Sequence, residues 1–235
     1  MTEFTDTPSI FHRRSFLAGI GLAGGALVLP ACTTGFGGPL SFTDAIARLL
    51  FMSTGRAFDR MTSQGGFWDQ QVAAIGLENV LGVRGGTLGR ILTSGLFKDR
   101  LANALAPVAF DAAQRAAPVV ADTVRTIGFA NAVELIRGGP RSATSYLRGE
   151  MGGRLIDAML PGVGQGLRVA SDPLVGQALA ALSGVDIPQV ARTFTGRVDD
   201  VIWNQIGTEE EFIRANPQST NDPLIMGVFG AARTF

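Results

Sequence analysis

Between Phe42 and Met61 one set of apolar residues recurs at positions 42, 45, 46, 49, 50, 57, 58 and 61. Steps of three and four place them on one side of a helix, a stripe that must be buried against other elements. Ser41 or Thr43 can cap its start, and Gly65-Gly66 end it. No segment alternates apolar and polar residues for long enough to make a strand, and Val119-Val120 and Leu27-Val28-Leu29 are too short. The pattern predicts an all-α protein, one compact domain of about seven to nine helices.

Glycine and proline divide the rest of the chain. Phe67-Trp68 follow the first helix in a loop, and the glycines at 76, 82, 85, 86 and 89 predict short turns over 72–90. A second long helix covers 94–115, with Pro107 expected to bend or break it. Pro118 suits the first turn of a further helix that runs through Ile127. Phe129–Ile136 is short and is stopped by Gly138-Gly139-Pro140. Arg141 or Ser142 starts a helix to about Leu160, where Pro161 and glycines 162, 164 and 166 interrupt. Asp172-Pro173 is a start signal for a helix ending near Ser183-Gly184. Ile187–Ile206 is amphipathic. Thr208 and Glu211 fit a capping box that would open a new helix, ended by Asn216-Pro217. Asp222-Pro223 start a last turn or two, Leu224 to Phe229.

The inventory of reactive side chains narrows the chemistry. The chain has one histidine, His12, one cysteine, Cys32, one lysine, Lys98, and one tyrosine, Tyr146. After Cys32 there is no imidazole and no thiol, which excludes a histidine-based triad, a Cys–His pair, a His or Cys zinc site and an internal disulfide. No Asp-rich calcium loop and no phosphate loop occurs, so no metal and no cofactor is expected. Twenty basic and twenty acidic residues cancel, which argues against nucleic acid, since neutralising phosphates needs a basic surplus. The inventory points away from an enzyme.

The N-terminus reads as an address. Arg13-Arg14-Ser15-Phe16-Leu17 precede a run of 13 weakly apolar residues, Leu17 to Leu29, four of them glycine. The run is too short for a bilayer span of roughly 20 residues and too glycine-rich for a good core helix. A charged start, a short apolar stretch and a small-residue exit are the parts of an export signal. Arg13, Arg14, Phe16 and Leu17 resemble a twin-arginine signal, and Leu29-Pro30-Ala31-Cys32 resembles a lipobox, in which the cysteine becomes the lipidated first residue. A sole cysteine after an export segment has no disulfide partner, and several acyl chains anchor stably where one does not. The expected organisation is an export signal over 1–31, a flexible tether over 32–39, a helical domain over 40–230 and a tail over 231–235. Thr33 follows Cys32 where Asp retains many lipoproteins at the inner membrane, so the expectation is a lipid-anchored protein on the periplasmic side, leaning to the outer membrane.

Several segments resemble the DUF4197 family, bacterial domains of unknown function. They are Gly65-Gly66-Phe67-Trp68, Thr126-Ile127-Gly128-Phe129-Ala130-Asn131-Ala132 with Ile136-Arg137-Gly138-Gly139, and Ser142–Arg148. The last comprises Glu210, Ile213–Pro217, Asp222-Pro223-Leu224 and Val228-Phe229-Gly230. Asn131 stands where an acidic residue is usual. The resemblance covers about residues 40–230 and implies a secreted or lipid-anchored all-α protein; it implies no activity.

Four constellations remain as candidate sites. Arg137-Gly138-Gly139-Pro140-Arg141-Ser142-Ala143-Thr144 is a glycine-rich turn opening a helix, where free N–H groups and two arginines favour an anion. Against this stands an ordinary pair of helix caps. Tyr146 with Thr144 and Arg148 is either a ligand contact or a core tyrosine with a backbone-bonded hydroxyl, Arg148 then pairing with a carboxylate to hold the fold. Glu209-Glu210-Glu211 with Arg214 is best explained by the first-turn position and an i, i+4 pair worth a few tenths of a kcal/mol. Phe67-Trp68, in a glycine-flanked loop, is an exposed aromatic pair for a bilayer, a partner or an apolar ligand. The leading expectation is a non-catalytic envelope lipoprotein that binds an apolar ligand or an envelope protein, or acts as a scaffold. The alternative is a carboxylate-dependent hydrolase acting on envelope material.

Overall fold

The stripe that begins at Phe42 proves longer than its apolar letters. In the computed structural model, helix α1 (Pro39–Thr62) buries Ala45, Ile46, Leu49, Leu50, Ser53, Thr54, Ala57, Phe58 and Met61. Ser53 and Thr54 fill the gap between positions 50 and 57. The Ser53 hydroxyl donates to the Leu49 carbonyl at 2.8 Å, so its polarity is absorbed one turn back and the side chain packs as a small apolar one.

The structure describes residues 39–63, 66–75, 95–169 and 186–231. The export signal, the tether up to residue 38, the glycine-rich stretch 76–90, the helix expected from Asp172-Pro173 and the tail after 231 lie outside the described residues, while Pro39, expected to end the tether, instead opens α1. The described elements are all helical. After α1 come α2 (Phe67–Ile75), α3 (Gly95–Thr126), α4 (Ala132–Arg137), α5 (Ser142–Met151), α6 (Arg154–Val169), α7 (Ile187–Ala215), a 3-10 turn (Pro217–Thr220) and α8 (Pro223–Ala231). The all-α expectation holds, and no described helix is long and apolar enough to cross a membrane.

Several of the predicted boundaries differ. The breaks at Pro107 and Pro118 do not occur: both lie inside the 32-residue α3. The prolines are eleven residues apart, about three turns, and share the exposed face. The carbonyls they leave unbonded belong to Asn103 and Gln114, also exposed residues, where water can serve them. The opposite face carries Ala109, Ala112, Ala113, Ala116 and Val120, each no more than 1 % exposed, and that burial holds the helix together. The break at Thr208 is also absent. α7 runs unbroken for 29 residues, because its buried stripe passes from Ile202, Trp203 and Ile206 straight to Glu209, Glu210 and Ile213. The Thr208 hydroxyl donates to the Asn204 carbonyl at 2.8 Å, the habit of a mid-helix threonine and not of a cap.

The helix expected to reach Leu160 instead stops at Gly152, whose φ of +54° suits glycine. α6 then continues through Pro161 to Val169. Glycines 162 and 166, read as interruptions, are the face on which α6 meets α3: a Cβ on Gly162 would come 2.7 Å from Arg115 Nε, and one on Gly166 would come 2.8 Å from a Val108 methyl. Finally, Phe67 and Trp68 open α2 rather than sitting in a loop.

Helices α1, α3, α6 and α7 form a ring, each packed on the next and α7 closing on α1. α2 lies on α3, α4 and α8 lie on α1, and α5 lies on α7. One continuous core fills the ring, with Ile46, Leu49, Leu50, Leu147, Leu155, Phe194, Ile202 and Ile206 fully buried. Each such side chain contributes about 1.5–3 kcal/mol relative to exposure. The alanine-rich face of α3 lets its neighbours approach closely.

Candidate functional site

The expected anion place at the start of α5 exists, and the protein fills it with its own carboxylate. Glu210, fully buried on α7, accepts the Ala143 N–H at 3.0 Å and the Thr144 N–H at 2.7 Å. These are first-turn amides of α5 with no partner inside the helix. Arg214, one turn on, donates through Nε to Glu210 at 2.8 Å. Its other nitrogens donate to the carbonyls of Ile136 and Leu135 at 3.0 and 2.9 Å and to the Ser142 hydroxyl at 3.0 Å. Ser142 in turn donates to the Leu135 carbonyl at 2.7 Å. One ion pair therefore satisfies the last carbonyls of α4 and the first amides of α5 at once. The Glu210–Arg214 pair is no solvated i, i+4 bridge: the two side chains are 0 % and 10 % exposed.

Two of the remaining residues of this region, Arg141 and Tyr146, bond to other parts of the fold. Arg141 reaches across α7, donating to Glu211, Asn204 and Thr208 at 3.1, 2.8 and 3.3 Å, and its stem passes over Gly207, which has no side chain in the way. Tyr146 donates to the Gly128 carbonyl at 2.7 Å and packs its ring on Phe129 at 6.0 Å. Thr144 is buried and its hydroxyl has no hydrogen-bond partner among the described residues. Arg137 is exposed and makes no side-chain hydrogen bond among the described residues.

Arg148 pairs with carboxylates, the fold-holding alternative weighed for it, in a second cluster whose acids, Asp199 and Asp200, sequence reasoning did not name. It donates to Asp199 at 2.9 Å and Asp200 at 2.7 Å, while Trp203 Nε1 donates to the other Asp199 oxygen at 3.0 Å. Burial pushes the Asp199 carboxyl above its ordinary range, and the Arg148 charge and the Trp203 bond counter it in part. The available signal was the spacing: Asp199 and Trp203 are i, i+4 on the buried stripe of α7.

Phe67 and Trp68 lie elsewhere, in a groove of about 350 Å³ between the end of α1, the start of α2 and α3. The pair is not jointly exposed as expected. Trp68 is 3 % exposed, and its ring meets the half-buried Phe67 edge-on at 5.2 Å. Met61, Ala106, Pro107 and Phe110 complete the apolar wall, and the exposed Ser63, Asp69 and Asn103 supply polar groups. The buried Trp68 Nε1 donor has no hydrogen-bond partner among the described residues. The groove shares no residue with the Glu210 or Asp199 clusters, so the predicted site residues divide into one open groove, a set of braces between helices, and the exposed Arg137. Among the described residues, no group of three or more acidic, His or Cys side chains is placed to hold a metal ion.

Fold and site together define an all-helical domain with a braced interior and an open apolar groove. Residues 39–230 match the family described as protein of unknown function DUF4197, and the chain belongs to that family. No curated protein and no solved structure matches it. The segments Thr126–Gly139, Ser142–Arg148 and Glu210–Gly230, which carried the resemblance in the sequence, supply α4, α5 and the end of α7, and these meet at the Glu210–Arg214 brace.

Proposed function

We propose that this protein is an exported, lipid-anchored component of the bacterial cell envelope whose helical domain is a non-catalytic binding or scaffolding module. Arg13-Arg14 and the apolar run to Leu29 supply the twin-arginine export signal, Cys32 the lipid attachment, and residues 33–38 a tether that holds the domain off the membrane. Thr33 after the cysteine favours the outer membrane. The observation that carries the binding role is the groove at Phe67 and Trp68: about 350 Å³, walled by aromatic and aliphatic side chains and open to solvent. Ligand pockets have this character, predominantly apolar with a few polar groups. An apolar ligand or the apolar segment of an envelope partner is the occupant. The carboxylate chemistry of a hydrolase is less well supported, because the one described carboxylate pushed upward, Asp199, is engaged by Arg148 and Trp203.

The test is native mass spectrometry on protein recovered from the envelope of producing cells. The expected species begins at Cys32 and carries acyl mass, which Cys32→Ser removes together with membrane association. It also carries an apolar ligand or a partner that is lost in Phe67→Glu. An unprocessed cytoplasmic chain overturns the export reading. A processed chain with identical, unliganded mass in both groove forms overturns the binding reading.

A further inference from the structure

Helices α6 and α7 leave a second cleft of about 350 Å³ between them. It shares no residue with the Phe67 groove. α6 contributes Leu160, Gly164 and Arg168, one turn apart on one face, and α7 contributes Pro188, Ala191 and Arg192. The lining holds two arginines and no acid. Arg168 is exposed and makes no hydrogen bond or ion pair among the described residues. Arg192 donates to Gln189 at 2.9 and 3.3 Å and stands 4.0 Å from Asp186, which leaves part of its five-donor fork unused. The cleft is open at Gly164, where an added Cβ would meet no heavy atom within 4 Å.

Two guanidinium groups beside an apolar wall match a particular chemistry. Guanidinium binds carboxylate and phosphate oxygens through paired, charge-assisted hydrogen bonds, and the wall excludes water from a short hydrocarbon body. We infer that this cleft binds an amphiphilic anion, a carboxylate or phosphate carried on an apolar chain. Arg168 and Arg192 hold the charged group, and Leu160, Pro188 and Ala191 hold the chain. The anion comes either from a free acid or phosphate ester or from the headgroup of an anionic lipid.

The experiment titrates the full chain with octanoate and octyl phosphate, with octanol as the neutral analogue, by calorimetry. Saturable one-to-one binding of the anions is expected, with octanol weaker. Arg168→Gln and Arg192→Gln each weaken the anions by about tenfold or more, the loss of a charge-assisted contact. Gly164→Leu blocks the cleft, Phe67→Glu leaves this binding unchanged, and thermal midpoints no lower than the parent's show that the variants fold. Flotation with phosphatidylcholine vesicles, with and without phosphatidylglycerol, separates the sources. Anion binding without vesicle binding identifies a soluble ligand; vesicle binding that needs phosphatidylglycerol and is lost in both Arg168→Gln and Gly164→Leu identifies a headgroup. Absence of saturable binding to either probe and to the vesicles overturns the inference, as does binding that Arg168→Gln and Gly164→Leu leave intact.

Discussion

Gly164 and Gly166 sit two residues apart on α6 and should respond oppositely to the same substitution. An alanine Cβ at 164 meets nothing within 4 Å. Gly164→Ala therefore gains the helix-propensity difference, about 0.8–1 kcal/mol. A Cβ at 166 would lie 2.8 and 2.9 Å from the two methyls of Val108. Val108 is 8 % exposed and β-branched in a helix, so one rotamer dominates and the methyls cannot swing aside. Either the valine strains or α6 separates from α3, at the roughly 1–3 kcal/mol typical of overpacking. The propensity and unfolded-chain contributions are the same in both variants, so the difference between them isolates the steric contact. That difference should be about 1–3 kcal/mol in urea denaturation, or about 2–12 °C in midpoint for a domain of this size. Val108→Ala should recover most of it, read as a coupling energy in a double-mutant cycle. Equal stability of Gly164→Ala and Gly166→Ala, or a cycle with no coupling, would refute the close approach of α6 and α3.

Three further outcomes follow from the braces. Glu210→Ala leaves Arg214 buried without its counter-ion and two α5 amides without an acceptor, and should cost about 3–5 kcal/mol by urea denaturation. Gly138→Ala places a Cβ 2.7 Å from Ser142 Cβ and 3.0 Å from the Glu134 carbonyl, whereas Gly139→Ala meets nothing within 4 Å. The first should lose about 1–3 kcal/mol and the second stay within about 0.5 kcal/mol of the parent in the same assay. The two perturbed aspartates should give opposite pH slopes. At Asp222, partial burial opposes the charge but the Arg48 bond and the Ile225 and Leu224 amides outweigh it, so its pKa falls below 3.8. Its stabilisation is present above that value and is lost as pH drops through the lowered pKa, a slope that Asp222→Asn removes. Asp199 is shifted upward by burial. Its favourable contribution is present below 3.8 and is lost as pH rises through the raised pKa, so Asp199→Asn should gain on the parent between acid and neutral pH.

What was legible in the sequence, and what was not, divides along one physical line. Local rules worked where the local signal was unopposed. Asp222-Pro223 predicted a cap, and Asp222 accepts the amides of Leu224 and Ile225 at 2.9 and 3.1 Å; Gly138-Gly139 ended α4 and Asn216 ended α7. The same rules failed wherever a buried face ran past the signal. Pro107 and Pro118 break a helix only if losing the hydrogen bond outweighs the burial of the facing alanines, and on the solvent side it does not. The helix restart read at Thr208 fails for the same reason. The apolar alphabet also hid half of the brace. Ser53, Thr54, Asp199, Glu209 and Glu210 occupy stripe positions that an apolar count scores as surface. The burial of the three carboxylates becomes visible only when a partner from another helix is in place: Arg148 for Asp199, Arg60 for Glu209 and the α5 amides for Glu210. A carboxylate at a stripe position, with arginine one turn on, is thus better read as a question about which distant amides need an acceptor. In this chain the question and the expected anion place at Arg137–Thr144 had a single answer, since Glu210 is the anion which that helix start receives.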